Sequence, residues 1–570
     1  MLLLFGPVND PVQFFQRHWD KMCDDFLYHS GSLILPPIVL QCLVLFDLDR
    51  ILHESDKNIR LFGLYYPTPD GETVADDINR HYENRTVSSI VNDKLTYDPI
   101  EMRTRFESNF RRLRPRQRAL VQRVVRAVEE KQPLCAFVDA PAGTGKVFCI
   151  ETILAGIGSR NGIGLAVASS GIAATLLTGG RTFHSRFRAP LKPDNTRPFN
   201  IPKQGDLAEL IRRADLIVWD EAPMSNKFHL KALDITLRDP CNSNLPFGGK
   251  VLLLFGDFRQ VLPVVKHGSR AQQIDVSIKM SPLWKLFEVH CLTENMRILS
   301  LGDDPMAQMY DVFLMRIGNG DHIHFVPNEP AAVKLPHEIC TDKPIRDLIS
   351  WTFEDVCEHV GDADYFYARL ILYATNDDAG CVNDMVLNDF PGEVRESYSV
   401  DYPASDDHEL AIQHELLNSL NEFGLPPHKL QLKIGAPVML LRNLSPKQGL
   451  CNGTRLILKK IVDDDLLEVT IMRTSKTTLI PKIDLTSDGE TTGFKWNRRQ
   501  FPIRLAFAAT INKSQGQTIS RVGVWLRKPV FAHDQLYVAL SRVGHPNNIR
   551  VVLPDKKFIT KNVVYYELLQ

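Results

Sequence analysis

The residues best placed to do chemistry are Ala140-Pro-Ala-Gly-Thr-Gly-Lys-Val147. A short apolar run at 133–139 precedes them and an apolar, helix-like run at 148–155 follows. That context predicts a phosphate-binding loop. Gly143 and Gly145 free the backbone, so that N–H groups of Ala142, Thr144 and their neighbours can curl around phosphate oxygens. Lys146 reaches the β and γ phosphates, and the following helix N-terminus adds a favourable field. Two positions depart from the usual pattern of such a loop. Ala140 stands where the first Gly belongs, and Val147 stands where Ser or Thr would ligate Mg²⁺. The first departure is mild if φ is negative there. The second removes an oxygen from the metal, so phosphate binding survives and hydrolysis is expected to weaken.

A second apolar run, 216–219, ends in Asp220-Glu221. Alone, an Asp-Glu pair there is usually a solvated strand end. After a phosphate loop it predicts Asp220 as a Mg²⁺ ligand and Glu221 as the group that polarises the attacking water. A third run, 251–255, breaks at Gly256-Asp257 and delivers Gln260. A neutral amide there can hydrogen-bond both the γ phosphate and the water.

These side chains need strands to hold them. Apolar runs at 133–139, 163–168, 216–219, 251–255, 370–374 and 522–526 alternate with helix-like stretches, which predicts an α/β fold with parallel sheets. Between about 431 and 508 the texture changes. Short runs at 436–441, 454–462, 466–472 and 478–485, split by Asn452-Gly453 and the acidic 463–465, predict a small antiparallel barrel. Residues 1–105 read as a mostly helical leader of unknown role.

Composition sets outer bounds. The 570 residues carry 67 Lys plus Arg against 68 Asp plus Glu, a net charge of −1, which excludes a strongly basic nucleic-acid coat protein. Locally, however, residues 103–126 hold nine arginines and one acid, Glu107, which is either a nucleic-acid-facing stripe or a solvated helix face. The ten cysteines form no CxxC pair and no zinc spacing, so a reducing compartment is expected. The apolar stretch 33–46 is interrupted by Pro36, Pro37 and Gln41, and it is too short for ~30 Å of hydrocarbon. Residues 1–5 are apolar without the basic flank of a signal peptide. A soluble intracellular protein is the expectation.

The three sites, with Ser170-Gly-Ile-Ala-Ala-Thr, Gly180-Arg-Thr-Phe-His-Ser185, Phe247-Gly-Gly-Lys250, Ala509-Thr-Ile-Asn-Lys-Ser-Gln-Gly-Gln-Thr518 and Gln535-Leu-Tyr-Val-Ala-Leu-Ser-Arg542, resemble a superfamily 1 motor of the PIF (petite integration frequency) family of DNA helicases. Gly435-Ala-Pro-Val-Met-Leu-Leu-Arg-Asn443 and Leu450-Cys-Asn-Gly-Thr-Arg455 are also typical of the helicase half of Helitron transposon proteins. The resemblance spans roughly 106–555. It implies two RecA-like P-loop NTPase lobes, with an SH3-like barrel inserted in the second. The boundaries would be lobe 1 at 106–290, lobe 2 at 291–430 and 502–570, and the barrel at 431–501. It implies ATP and Mg²⁺, single-stranded and forked DNA as partners, and 5′-to-3′ translocation with unwinding. It implies a nuclear or mitochondrial setting in repair, recombination or telomere maintenance.

By resemblance, Gln117 reads the adenine edge. Arg297 and Arg542 reach the γ phosphate from the second lobe. Gly516, with Gln517, and Tyr537 couple the nucleotide to that lobe, and Thr182, His184, Lys513 and Ser514 contact the DNA strand. Two departures stand out. No His-hydrophobic-His nuclease unit precedes the motor, and His322-Ile-His324 is read as a loop coincidence. Asp534 occupies a position commonly Gly. The competing expectations are a non-hydrolysing nucleotide- and DNA-binding module, because of Val147, and a scaffold whose leader recruits partners.

Overall fold

The computed structural model describes residues 10–22, 36–53, 58–68, 97–190, 193, 197–263, 265, 268–321, 325–326, 329–375, 377–404, 414–422, 424–445, 448–487, 489, 492–554 and 557–569. Residues 1–5 and His322-Ile-His324 lie outside them.

The first lobe is a six-stranded parallel sheet. Its strands are β1 (Leu134–Asp139), β2 (Ile163–Ala168), β3 (Arg181–Thr182), β4 (Ala214–Asp220), β5 (Val251–Gly256) and β6 (Glu288–Cys291). They lie in the order β3-β2-β4-β5-β1-β6. Leu216-Ile-Val-Trp219 and Val251-Leu-Leu-Leu-Phe255 are buried throughout, as strands covered on both faces must be. Parallel strands end on one edge, so Asp139, Asp220 and Gly256 open onto the same crevice. Gly256 has a steric reason: a Cβ there would collide with the Pro223 ring, which belongs to the turn carrying Glu221.

The second lobe has a five-stranded parallel sheet, ordered Ala508–Thr510, Arg369–Tyr373, Arg521–Trp525, Ile549–Val552, Cys340–Thr341. The α/β expectation therefore holds in both lobes.

The antiparallel texture is present as separate sheets. One has five strands in the order Thr477–Pro481, Leu466–Ile471, Arg455–Asp463, Pro437–Leu440, Ile503–Leu505. Another joins Val400–Pro403, Trp496–Gln500 and Ile483–Thr486. The single run expected at 478–485 is two strands, because the chain breaks after Pro481 and crosses to the second sheet. That sheet is pinned by a fully buried ion pair: Arg498 Nη2 lies 2.6 Å from Asp401 Oδ2, and Arg498 also donates to the carbonyls of Leu417, Leu420 and Pro426.

Three expected boundaries differ. Helix Pro99–Arg112 crosses 105/106, and its Met102 and Phe106 pack against Gly158 and Gly156, whose lack of side chains lets the helices close. Strand β6 crosses 290/291 and pairs with β1. Residues 563–569 return to the first lobe, where Leu568 is fully buried beside Phe258, Leu262 and Ile278, and Lys279 Nζ donates to its carbonyl at 2.9 Å. The described leader residues form helices Pro11–His18 and Pro37–His53, packed through Phe15, Leu45, Leu52 and Leu64. Among the described residues no helix is long and apolar enough to cross a membrane.

Candidate nucleotide and nucleic-acid site

Strand β1 runs into the loop 140–145, and helix Lys146–Gly158 follows. Gly143 and Gly145 adopt φ of 88° and 79°, the left-handed region that favours glycine. Ala140 does not, so its Cβ costs nothing there. Gln117 is buried against the loop: its Nε2 donates to the Thr144 carbonyl at 2.9 Å, and its Oε1 accepts from Arg114 N at 3.0 Å. One Gln117 N–H remains for a base edge. The Ala142 amide donates to the Tyr537 hydroxyl at 3.4 Å, across the lobes.

Lys146 Nζ stands 2.5 Å from Glu221 Oε1 and 3.1 Å from Asp220 Oδ1. Burial opposes its charge, but the two carboxylates outweigh burial and raise its pKa. Burial raises the pKa of Glu221, with Asp220 and Asp257 adding and Lys146 opposing. Glu221 sits at φ 51°, a strained turn that aims its carboxylate back at the loop. Gly516 approaches it from the second lobe: a Cβ there would lie 3.9 Å from Glu221 Oε1. Val147 is half-buried and packs on the first-lobe core.

Gln260 is buried, and its Oε1 has no hydrogen-bond partner among the described residues. An orphaned buried acceptor fits a water or ligand hydrogen. Arg297 Nη1 donates to the Ser541 carbonyl at 3.3 Å and Nη2 to Thr518 Oγ1 at 2.5 Å. Arg542 is fully buried: Nε donates to Val538 O, Nη1 to Ser514 O and Gln517 O, and Nη2 to Ser541 Oγ. Burial first, then neighbouring Arg297, lowers its pKa to about 10. A cleft of about 220 Å³ between the lobes is lined by Ala142, Thr144, Arg297 and Tyr537.

This set fits the phosphates of a nucleotide. For Mg²⁺ it offers the carboxylates Asp220 and Glu221 and nothing from Val147. Among the described residues no cluster of three or more His, Cys, Asp or Glu could hold a metal alone. A divalent cation would need phosphate oxygens to complete its shell.

Asp534 is fully buried at φ 49°, with neither carboxylate oxygen hydrogen-bonded among the described residues. His533 Nε2 comes within 3.2 Å of Oδ2, but its hydrogen is directed at the Phe258 carbonyl, 2.9 Å away. His533 is itself held down to about pKa 4 by burial, so it brings no charge at neutral pH. Burial raises the Asp534 pKa well above the ordinary range, Asp257 adds, and Arg259 opposes. The folded state therefore keeps a proton that the unfolded chain releases, and stability falls as pH rises above the usual aspartate range. Asp534→Gly is expected to raise the thermal unfolding midpoint, reflecting about 1–3 kcal/mol of relieved desolvation. Calorimetry should find a larger gain at pH 8 than at pH 5; an equal or negative gain would contradict this.

The expected strand contacts separate into two groups. Thr182 and Ser514 are buried and spent inside the fold: Thr182 Oγ1 caps Ser185 N at 3.2 Å, and Ser514 Oγ donates to Ile511 O at 2.7 Å. His184 is half-buried, with Nδ1 2.9 Å from Ala189 O. Lys513 donates to Asn452 Oδ1 at 2.7 Å, and burial, Arg504 and Arg442 lower its pKa to about 8. The more pronounced feature is a cavity of about 650 Å³ between the first lobe and the antiparallel sheets. Arg181, Arg186, Arg455, Arg473 and Lys476 line it, and among the described residues no carboxylate does. Arg186 is buried, its Nε has no partner among the described residues, and burial lowers its pKa to about 9. The 103–126 arginines are partly spent: Arg103, Arg105, Arg114 and Arg123 pair with Glu107, Glu151, Glu294 and Glu288.

Residues 112–326 match the family model described as PIF1-like helicase, and 415–461 match that of the DNA helicase Pif1 2B domain. The ATP-dependent DNA helicase PIF1 of Homo sapiens is 28% identical over 435 residues, covering 75% of this chain and 59% of that protein. The Pif1 of Bdellovibrio bacteriovorus is 24% identical, over 73% of this chain and 83% of its own. Among solved structures, Pif1 helicase from Candida albicans superposes with a TM-score of 0.54 at 25% identity, over 80% of this chain and 98% of that one. Bacteroides Pif1 bound to single-stranded DNA shares the fold, with a TM-score of 0.56 at 24% identity over 79% and 94%.

Proposed function

The chain belongs to the PIF1-like helicase family, and from that premise we propose that it is an ATP-dependent DNA helicase that moves 5′ to 3′ on single-stranded DNA and opens forked duplex. The chain spans 59% of the length of its Homo sapiens relative, so activity and partners are argued from its own residues. The observation that supports the reading is the ion-paired set of Lys146, Asp220 and Glu221 at the end of a phosphate loop whose Ala142 and Thr144 line a cleft shared with Arg297 and Tyr537 of the second lobe.

In this reading ATP is the substrate. Gln117 meets the base, residues 142–146 hold the phosphates, and Glu221 orients the attacking water. Mg²⁺, held by Asp220, would supply charge neutralisation at the phosphate oxygens. Arg297 stabilises charge that develops on the γ phosphate, so turnover depends on lobe closure. Gly516 and Tyr537 report the cleft to the second lobe. The acid-free cavity around Arg186 takes backbone phosphates, which position a strand without reading its sequence. Lys513 and His184 extend that surface. Thr182 and Ser514 support it from beneath. A nuclear role in repair, recombination or telomere maintenance, and a transposon ancestry, accompany this reading.

Val147 favours a second reading, a nucleotide-gated binder that hydrolyses slowly. Steady-state ATP turnover with Mg²⁺, with and without oligo-dT, separates the two. DNA-stimulated turnover in the natural protein, lost in Lys146→Ala, is expected. A natural protein without turnover that Val147→Thr restores would instead establish the binder.

A further inference from the structure

We propose that Arg259 is a positioning residue that carries the state of the nucleotide cleft into the second lobe through Asn319. The inference rests on the ATPase reading above. Arg259 lies in the turn after β5, beside the buried Gln260. Its Nη1 is 3.2 Å from both carboxylate oxygens of Asp139, the last residue before the phosphate loop, and 3.2 Å from Asp257 Oδ1. Its Nε donates to Asn319 Oδ1 at 2.8 Å, at the end of the second-lobe helix Pro305–Asn319.

The contact is close by construction. A Cβ at Gly318 would come within 3.1 Å of Arg259 Cδ and 3.0 Å of Tyr537 Cδ2. One guanidinium thus joins the root of the phosphate loop, the sensor turn and a helix of the other lobe. Burial opposes its charge, and Asp257 and Asp139 restore it. Arg259 lines the cleft together with Asp139 and Tyr537, and among the described residues it hydrogen-bonds to none of Lys146, Asp220 or Glu221.

The helix continues the connection. Asp311, two turns earlier, accepts from Asn295 Nδ2 at 2.7 Å, and Asn295 Oδ1 accepts from the amide of Arg297 at 3.1 Å. Asn295 also lies directly over Gly143, where any Cβ would strike its amide. A shift of the sensor turn therefore reaches Arg297 through one rigid helix. Lysine cannot replace the arginine, because only the fork offers Nε and Nη1 in two directions at once.

The test compares the natural chain with Arg259→Lys, Asn319→Ala and the double variant. ATP turnover is read at saturating oligo-dT, alongside ADP affinity and the distance between dyes placed on the two lobes. Each single variant should lower kcat about tenfold while KM for ATP and ADP affinity change less than about twofold. The double variant should lose no more than Arg259→Lys alone. ADP should draw the lobes together in the natural chain and not in Asn319→Ala, a readout that needs binding but no turnover. Additive losses, a KM effect with kcat intact, or equal closure in all chains would overturn the proposal. A natural chain that binds ADP and closes but never turns over ATP would overturn only the ATPase reading. One that binds no ADP would overturn both.

Discussion

Glu221→Gln is expected to lower ATP turnover by about 10²- to 10⁴-fold while leaving nucleotide affinity within a few-fold. The substitution keeps size and shape. Its amide oxygen can still accept from Lys146, which now stands 2.5 Å from the carboxylate, so the phosphate loop is not released. The left-handed turn at φ 51° is no harder for Gln than for Glu. What disappears is the carboxylate that, alone among the described residues, faces both Lys146 and the Gly516 loop. Burial raises the Glu221 pKa, and Lys146 opposes that rise. A phosphate that draws Lys146 away would leave a more basic carboxylate, suited to taking hydrogen from water. Single-turnover hydrolysis, paired with fluorescent-ADP titration, checks this. Equal loss of binding and turnover would make Glu221 a structural anchor instead.

Arg297→Ala is expected to lower kcat by about 10³-fold, with a much smaller effect on ADP binding. The present partners of Arg297 are neutral: the Ser541 carbonyl and the Thr518 hydroxyl. Burial lowers its pKa, and among the described residues no carboxylate compensates. Its charge is thus uncommitted and faces the cleft. Arg542 is a poorer subject for the same experiment, although its motif suggests the same role. Its guanidinium ties the carbonyls of Val538, Ser514 and Gln517 together, and truncation would release the loop that carries Gly516. Rapid-quench turnover of Arg297→Ala against Arg297→Lys separates charge from fork geometry. A Lys variant with full activity would show that a point charge suffices.

The parts of the site legible in the sequence are those fixed by strand ends. Unbroken apolar runs announce buried parallel strands, and Lys146, Asp220, Glu221 and Gln260 follow them directly. Glycine at 143 and 145 announces backbone that other residues resist. Arg259 was not legible as a link, because an arginine in a turn reads as a surface charge. Its meaning comes from Asp139 and Asn319, which the fold alone brings to it. Arg186 was hidden likewise, as one cation among many until the lining of its cavity proved free of acids. Residues 563–569 carry no local signal of their return to the first lobe, since their partners, such as Phe258 and Ile278, are about three hundred residues away. Thr182 and Ser514 show a second use of a motif hydroxyl, inside the fold. A hydroxyl in a strand-contacting motif suggests an outward role, yet a Thr three residues before Ser185 is also an N-cap, and the cap is what forms.

The most direct test of the central claim is strand separation on a fork whose single-stranded tail is either 5′ or 3′, with ATP and Mg²⁺ and a protein trap to prevent rebinding. The account predicts product from the 5′-tailed fork, none from the 3′-tailed fork, and none from either with Glu221→Gln. Opening of both forks without ATP, or of neither while the protein still binds the DNA, would contradict it.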